Sequence, residues 1–210
     1  MTERTSAGVA RGTGGSRAGA TRDALVAATR ACLTEHGLAG TTSRAITTRA
    51  GANLAAITYH FGSKNALVAE ALLSSVRGWL EPVLAVLRSD DEPTSRTVRA
   101  VAALQASLAD ARDALPLHLS ALTTAAHNPA LRAGLDELLA EVHGLLAGQI
   151  AEQVASGYLP TWVDPDAMAH LLVALADGIA LHAVLQPASV DPDAVVAQAL
   201  ALLLAARGDR

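Results

Sequence analysis

Apolar residues recur at helical spacing along almost the whole of this 210-residue chain. No stretch alternates apolar and polar residues for long enough to indicate a strand, whereas capping residues, prolines and glycines repeatedly mark helix ends. Hydrophobic residues make up 51% of the chain and aromatic residues only 2%, so the core must consist mainly of aliphatic side chains. The sequence therefore predicts an all-α protein of about nine helices.

Capping residues and glycines set the expected helix boundaries. Thr21 is expected to cap the first helix and Gly37 to end it, because glycine readily adopts the left-handed conformation that follows a helix. Proline stands in the first turn of each of the last four helices, and Pro82 predicts a kink in the fourth. The predicted helices span residues 22–37, 42–51, 54–61, 64–88, 94–112, 115–126, 129–156, 165–185 and 192–207.

Charge is distributed unevenly along the chain. Residues 1–65 contain eight Lys or Arg and three Asp or Glu, whereas residues 66–210 contain eight and seventeen, respectively. Only the first part is therefore expected to meet a polyanion such as nucleic acid. Because residues 1–20 are rich in Gly, Ser, Ala and Arg and have little to bury, they are predicted to form a disordered basic arm. A small basic head at 21–66 and a larger, acidic helical domain at 67–210 are predicted to follow this arm.

The chain has a single cysteine and no secretory signal sequence at its amino terminus, so the cytoplasm is the expected location. Cys32 falls on the apolar face of the first predicted helix and is interpreted as a core residue. The most membrane-like stretch, 167–185, is interrupted by His170, Asp177 and His182. Because a charged residue is costly at the centre of a bilayer, we expect this stretch to be buried against protein.

The second and third predicted helices have helix-turn-helix spacing, because only a short turn separates Gly51 from the cap residue Asn53. On the third helix, Ile57 and Phe61 are four residues apart and are expected to face the protein interior. Small or uncharged residues remain on the outer face, at positions 54, 55, 58 and 59. Such a face can enter the major groove of DNA, which is about 12 Å wide.

The segment GTTSRAITTRAGANLAAITYHFGSKNAL, residues 40–67, resembles the DNA-binding segment of the TetR family of transcriptional regulators. The aromatic-His-Phe, Ser-Lys and Ala-Leu pattern at 59–67 carries most of this resemblance. It implies a three-helix DNA-binding head followed by a helical domain for ligand binding and dimerisation. The function it implies is that of a repressor released from its operator by a small molecule, and activation on the same fold is the alternative.

The resemblance also implies that Ser43, Arg44, Tyr59, His60 and Lys64 contact DNA phosphates. Bases would be met by residues of the third helix and by Arg44, with hydrogen bonds expected from Arg44, Asn53 and Thr58 and only apolar contact from the leucine and alanines. Thr58 stands where the family usually has tyrosine. Asn53 is equally accounted for as a helix cap, and His60 alone as a structural histidine. The full set of DNA-binding candidates is Thr42, Ser43, Arg44, Asn53, Leu54, Ala55, Ala56, Thr58, Tyr59, His60 and Lys64.

Two helix-turn-helix heads must lie about 34–36 Å apart to read successive major-groove faces, which predicts a homodimer on a pseudo-palindromic DNA site. The eighth and ninth helices are the expected interface, because their apolar and partly small residues allow close helix packing. The alternative is that these residues form ordinary monomer core. The interface candidates are Leu171, Ala174, Leu175, Gly178, Val195, Ala199 and Leu202.

In the TetR family the fifth to seventh helices usually enclose a small-molecule pocket, which the resemblance implies here. Polar or aromatic groups on otherwise aliphatic helices are the candidate ligand contacts, because pockets are mostly apolar with a few placed polar groups. Each of them singly is equally typical of the surface or of a satisfied core position. The pocket candidates are Trp79, Gln105, His118, Thr123, His127 and His143.

Two other classes of function compete with DNA binding. No H-E-x-x-H or G-x-S-x-G motif is present, and GTGGSR at 12–17 lacks the third glycine of a dinucleotide-binding loop, so an enzyme, a cofactor and a metal site are not expected. A small-molecule carrier or helical scaffold would explain the acidic part but not the basic head. Salt-dependent DNA binding distinguishes these alternatives.

Overall fold

The computed structural model describes residues 13–109, 114–186, 188 and 191–205. Within these ranges the chain forms nine α-helices and no strand, which confirms the all-α prediction. The helices are α1 (Thr13–Gly40), α2 (Ser43–Ala50), α3 (Leu54–Phe61), α4 (Lys64–Leu87), α5 (Pro93–Ala109), α6 (Ala114–Ala125), α7 (Pro129–Ala155), α8 (Pro165–Leu185) and α9 (Pro192–Ala205).

The first helix begins earlier than predicted. α1 starts at Thr13, so residues 13–20 of the predicted disordered arm are helical, whereas residues 1–12 lie outside the described part of the chain. Thr21 is not a cap, because its hydroxyl donates to the carbonyl oxygen of Arg17 at 3.0 Å inside the helix. Gly37 has φ 64° and ψ −176° and interrupts the helical path close to the predicted end.

The short helices of the first 70 residues are bounded by the capping residues that the sequence predicts. The side chains of Thr42, Asn53 and Ser63 each accept the main-chain N–H three positions further on, at 3.1, 2.9 and 3.1 Å. Gly51 has φ 62°, a left-handed conformation that costs little without a Cβ, and it closes α2. The connection between α2 and α3 is consequently a tight turn, as expected for a helix-turn-helix unit.

The chain divides into two compact units between Ala71 and Leu72, within α4, five residues beyond the predicted domain boundary. The core of the first unit is aliphatic and includes Cys32, as predicted. Arg49 donates two hydrogen bonds to the carboxylate of Glu35, at 2.5 and 2.6 Å, and so ties α2 to α1. The buried core residues of this unit are Leu25, Ala28, Cys32, Ile46, Ile57 and Leu67.

In the second unit α7 packs against α5, α6 and α8, and α9 packs against α5 and α8. Asn128 and Asp164 cap α7 and α8, and the Asp191 side chain accepts two main-chain N–H groups at the start of α9. Pro82 lies inside α4, while the kink inferred there remains a prediction. Two buried clusters of described residues belong to the core of this unit: Leu108, Leu115, Ile179, Ala180 and Val196, and Ile150, Val163 and Ala169.

Of the described helices, α8 alone is long and apolar enough to cross a membrane. Only 17% of the apolar 18-residue segment of α8 is buried within the chain. The sequence led us to expect that this stretch is buried against protein, but the chain itself covers little of it. A core helix of a soluble protein passes the same criterion of length and composition, and one such helix is therefore weak support for a membrane location.

Candidate nucleic-acid interface and cavity

The third helix is held by one face and exposed on the other. Ile57 is 4% exposed and belongs to the core of the first unit, and Phe61 packs against the same core. Tyr59, in contrast, is 80% exposed, and the predicted outer positions 54, 55 and 58 are exposed as well. Ala56 differs from the expectation, because it is half-buried and packs against the core. A base contact from its methyl group is therefore disfavoured.

Phe61 is held by a contact that the sequence did not reveal. The guanidinium carbon of Arg22 lies 5.1 Å from the centre of the Phe61 ring, a cation–π geometry, and Arg22 also forms an ion pair with Glu70. These contacts connect α1, α3 and α4. No local sequence signal identifies them, because the three residues come together only when the helices have packed.

Several DNA-binding candidates also have structural roles. Thr42 and Asn53 cap α2 and α3, so the cap interpretation of Asn53 is confirmed while its base contact remains a prediction. Lys64 is half-buried, and its Nζ donates to the carbonyl oxygen of the buried Thr41 at 2.9 Å. An ammonium group has three N–H donors, so two remain for a phosphate oxygen.

The remaining candidates lie at the start of α2 and the end of α3. Arg44 is exposed and Ser43 half-buried, and both occupy the first turn of α2, where main-chain N–H groups favour an anion. His60 is half-buried and meets Tyr59 edge to face, with ring centres 4.8 Å apart. The surface thus combines a cation, hydroxyl groups and an imidazole around an exposed helix face.

The second unit contains a partly open cavity of about 550 Å³ with mostly aliphatic walls. Three predicted pocket residues, Trp79, Gln105 and His118, line it. The other three lie outside its lining. The Thr123 hydroxyl bonds back to the carbonyl oxygen of Leu119, and His127 is exposed in the turn after α6.

His143, the last of these candidates, stacks on His170 with ring centres 4.0 Å apart. Burial lowers the pKa of His143, and the adjacent imidazole lowers it further. Because α7 and α8 pack together, the two rings contact each other rather than a ligand in the cavity. A histidine on an apolar helix is a reasonable candidate for a pocket residue. The sequence does not show, however, which way the His143 side chain points from its helix.

Polar groups of the cavity wall include several that the sequence did not single out. His118 Nε2 lies 2.8 Å from Asp177 Oδ1, and the indole N–H of Trp79 donates to the carbonyl oxygen of Ser107 at 3.0 Å. Gln149 is 6% exposed and also lines the cavity. Asp177 was interpreted from the sequence only as an interruption of a membrane-like stretch. Within the described residues no cluster of three or more His, Cys, Asp or Glu side chains could hold a metal ion.

The interface candidates on α8 and α9 are largely uncovered. Leu171 is 59% and Leu202 64% exposed, and Ala174 and Val195 are exposed as well. Leu175, Gly178 and Ala199 are half-buried. The alternative that all seven form ordinary monomer core is therefore wrong for the exposed four.

Family models match both parts of the chain. Residues 25–71 match the model for bacterial regulatory proteins of the TetR family, and residues 93–207 match the model for the C-terminal part of BetI-type transcriptional repressors. The second match alone covers more than half of the chain. The chain belongs to the TetR family. It is therefore a DNA-binding transcriptional regulator of the repressor type, which confirms that part of the function inferred from the sequence, while the dimer and the release by a ligand stay predictions.

Solved structures of other proteins share the fold of this TetR-family regulator. A protein from Pseudomonas aeruginosa PAO1, assigned as a transcriptional regulator, is 27% identical with a TM-score of 0.75, and 89% of each chain is covered. A TetR transcription regulator from Haloarcula marismortui is 21% identical with a TM-score of 0.77, covering 88% of this chain and 97% of that one. A Saccharomonospora viridis protein in complex with choline is 22% identical, with a TM-score of 0.73 and coverage of 86% and 94%. Comparison with curated proteins gave no match.

Proposed function

We propose that this TetR-family regulator acts as a homodimer on a pseudo-palindromic operator, and that a small molecule in the cavity of the second unit releases it from DNA. Its activity is binding rather than catalysis, and DNA as the target makes the cytoplasm its place of action. The single observation that carries the proposal is that one chain combines a head with an exposed α3 face and a second unit with a mostly apolar cavity.

The DNA contacts follow from the exposed and half-buried polar groups at the surface of the head. Arg44, Tyr59 and Lys64 provide donors for phosphate oxygens, and these contacts position the head without reading sequence. The exposed face of α3 meets the bases. Thr58 and Arg44 supply the base-directed hydrogen bonds, whereas Leu54 and Ala55 offer apolar contact to thymine methyl groups.

The dimer is supported by the exposed apolar residues of α8 and α9. Leucines such as Leu171, Leu185 and Leu202, each about 60% exposed, are unfavourable in water and are typical of a helix face that packs against a partner. The second copy of such a face covers the first across a two-fold axis, forming a four-helix interface. The same axis places two heads on one duplex, as reading two half-sites requires.

Release by a ligand is supported by the cavity and by a structural relative. The volume of about 550 Å³ lies within the range of roughly 300–1,000 Å³ that is usual for ligand sites. The Saccharomonospora viridis protein of the same fold was solved with choline. Choline is therefore a reasonable first probe in a thermal-shift screen, because a ligand that binds the folded state raises the melting temperature.

A matched pair of glutamate substitutions tests the dimer and its role in DNA binding. Ala174 on α8 and Ala140 on α7 are both exposed helical alanines, but only Ala174 is an interface candidate. We expect Ala174→Glu to give monomers by light scattering and to weaken operator binding, because an unpaired carboxylate would be buried in the interface. Ala140→Glu should remain a dimer with normal affinity.

Two outcomes would contradict the proposal. A wild-type monomer at micromolar concentration would remove the dimer, and an Ala174→Glu variant that still dimerises would remove the assigned interface. The rival function, a carrier or scaffold without DNA binding, predicts no salt-dependent affinity for DNA in any of the three proteins.

A further inference from the structure

The described walls of the cavity carry no lysine or arginine side chain. The only carboxylate among the described residues that line it is that of Asp177. An ion enters an apolar site favourably only when an opposite charge or strong hydrogen bonds compensate for its lost hydration. The described walls therefore offer no lysine or arginine that would hold the carboxylate or phosphate group of an anionic ligand by an ion pair.

Asp177 and His118 form a hydrogen-bonded pair, in which the Asp177 side chain is the more exposed partner. An ionised carboxylate only accepts hydrogen bonds, so His118 Nε2 donates to Oδ1 of Asp177, at 2.8 Å. The His118 side chain is 6% exposed and the Asp177 side chain 39% exposed. Within the described part of the chain no donor occupies the second carboxylate oxygen, Oδ2.

The aromatic wall behind this pair is also fixed. The Trp79 ring lies 5.2 Å from the His118 ring, and its indole N–H is held by the carbonyl oxygen of Ser107. Trp79 and Asp177 thus contact the same histidine and both line the cavity, and an aromatic ring and a carboxylate are each favourable neighbours for a cation. The same arrangement repels an anion.

Gln149 is a second polar residue of the cavity wall with an unpartnered hydrogen-bond acceptor. Gln149 is 6% exposed, and its side-chain nitrogen donates to the carbonyl oxygen of Pro93 at 2.6 Å and to the Thr97 hydroxyl at 2.8 Å. Its side-chain oxygen is buried and accepts no hydrogen bond from the described residues. His118 Nδ1 is likewise without a partner there. In the tautomer whose Nε2–H donates to Asp177, Nδ1 is an acceptor, so the two buried atoms of the lining without a partner, Nδ1 of His118 and Oε1 of Gln149, are both acceptors.

We propose that the effector is a lipophilic amine, whose ammonium group donates to the Asp177 carboxylate beside Trp79 while its hydrocarbon body lies against the aliphatic walls. This inference rests on the proposed function only in taking the cavity as the effector site. It names a ligand class that is larger in apolar area than choline and that carries N–H donors.

The test compares ligands with the same hydrocarbon chain and different head groups. Isothermal titration calorimetry of the full-length protein would use decylamine, decanoate and decanol, each below its micelle-forming concentration. We expect decylamine to bind at least about tenfold more tightly than decanoate, equivalent to about 1.4 kcal/mol. Equal or tighter binding of decanoate by the wild-type protein would overturn the inference without any variant.

Two asparagine substitutions on α8 locate the head group. Asp177→Asn should weaken decylamine binding by about tenfold while changing decanol binding by less than about twofold, because only the charged head loses its partner. Asp166→Asn, in the first turn of the same helix and outside the cavity lining, should change neither. If decylamine binds both variants as tightly as the wild type, Asp177 is not its partner.

Measuring how each ligand changes DNA affinity distinguishes a failure of this inference from a failure of the proposed function. Displacement of DNA by decanol or decanoate, with no preference for the amine, would contradict the ligand class and leave a ligand-released repressor. Selective binding of decylamine through Asp177 with no change in DNA affinity would support the ligand class and contradict release.

Discussion

The ammonium group of Lys64 donates a hydrogen bond to the main-chain carbonyl oxygen of Thr41, at 2.9 Å. Thr41 is fully buried and lies directly after α1, whereas Lys64 begins α4. The bond therefore connects two helices of the head across the helix-turn-helix unit that lies between them in sequence. It places the cation at a fixed position, which reduces the side-chain entropy lost when a phosphate binds.

Replacing Lys64 should affect both DNA affinity and stability. We expect Lys64→Met to weaken binding to operator and random DNA by the same factor and to reduce the slope of log affinity against log salt by about 1. It should also lower the free energy of unfolding by about 1–3 kcal/mol, because the buried Thr41 carbonyl loses its donor. Fluorescence anisotropy over a range of salt concentrations and urea unfolding measure the two effects.

Arg30→Met is the control for this prediction, since Arg30 is an exposed cation of α1 outside the candidate surface. Its loss should leave stability nearly unchanged and the salt slope intact. A Lys64→Met variant that is destabilised but binds DNA with the wild-type salt slope would show that Lys64 is only structural.

The attachment of α3 depends on Ile57, which is 4% exposed. We expect Ile57→Ala to lower the free energy of unfolding by about 2–5 kcal/mol, the usual cost of a cavity in a packed core. Leu54→Ala, on the exposed side of the same helix, should change it by less than about 0.5 kcal/mol. Similar losses of unfolding free energy in the two variants, measured with urea, would mean that α3 does not pack on the head through its Ile57 face.

The ion pairs of Glu141 should make stability depend on pH in the acid range. Hydrogen bonds from Arg88, with a smaller effect of Arg77, lower the pKa of Glu141 below its ordinary value of 4.5. The folded state therefore binds the proton less readily than the unfolded state. Stabilisation is present in full above pH 4.5 and is lost as the pH falls through the lowered folded pKa.

Glu141→Gln should therefore cost stability at neutral pH, and its difference from the wild type should shrink as the pH falls below 4.5. Urea unfolding at a series of pH values measures this difference. Glu137→Gln, at an exposed position of the same helix without an ion pair in the described residues, controls for the loss of a surface carboxylate. A Glu141→Gln deficit that stays constant with pH would contradict the assignment.

The head could be predicted closely because its boundaries depend on local chemistry. Thr42, Asn53 and Ser63 cap the helices that follow them, and Gly51 adopts the left-handed conformation that the turn requires. The start of α1 was missed because Thr21 has the composition of a cap but bonds within a longer helix. Composition at 13–20 suggested disorder and did not reveal that start.

Contacts between distant residues could not be predicted from the sequence. The Arg49–Glu35 and Arg22–Glu70 pairs and the Lys64–Thr41 bond depend on where packed helices meet. The residues that line the cavity could not be predicted from the sequence for the same reason. His118 and His143 are both histidines on apolar helices, yet one lines the cavity and the other stacks on His170, because helix rotation decides which way each side chain points.

The central claim is that the exposed face of α3 reads DNA as half of a two-fold pair, and selection of bound sequences from random DNA tests it most directly. The purified protein should enrich two inverted half-sites whose centres are about 10–10.5 base pairs apart, or a multiple of this, and the enriched site should bind less tightly as salt rises. Enrichment of no two-fold site, or no DNA binding even at low ionic strength, would contradict the account.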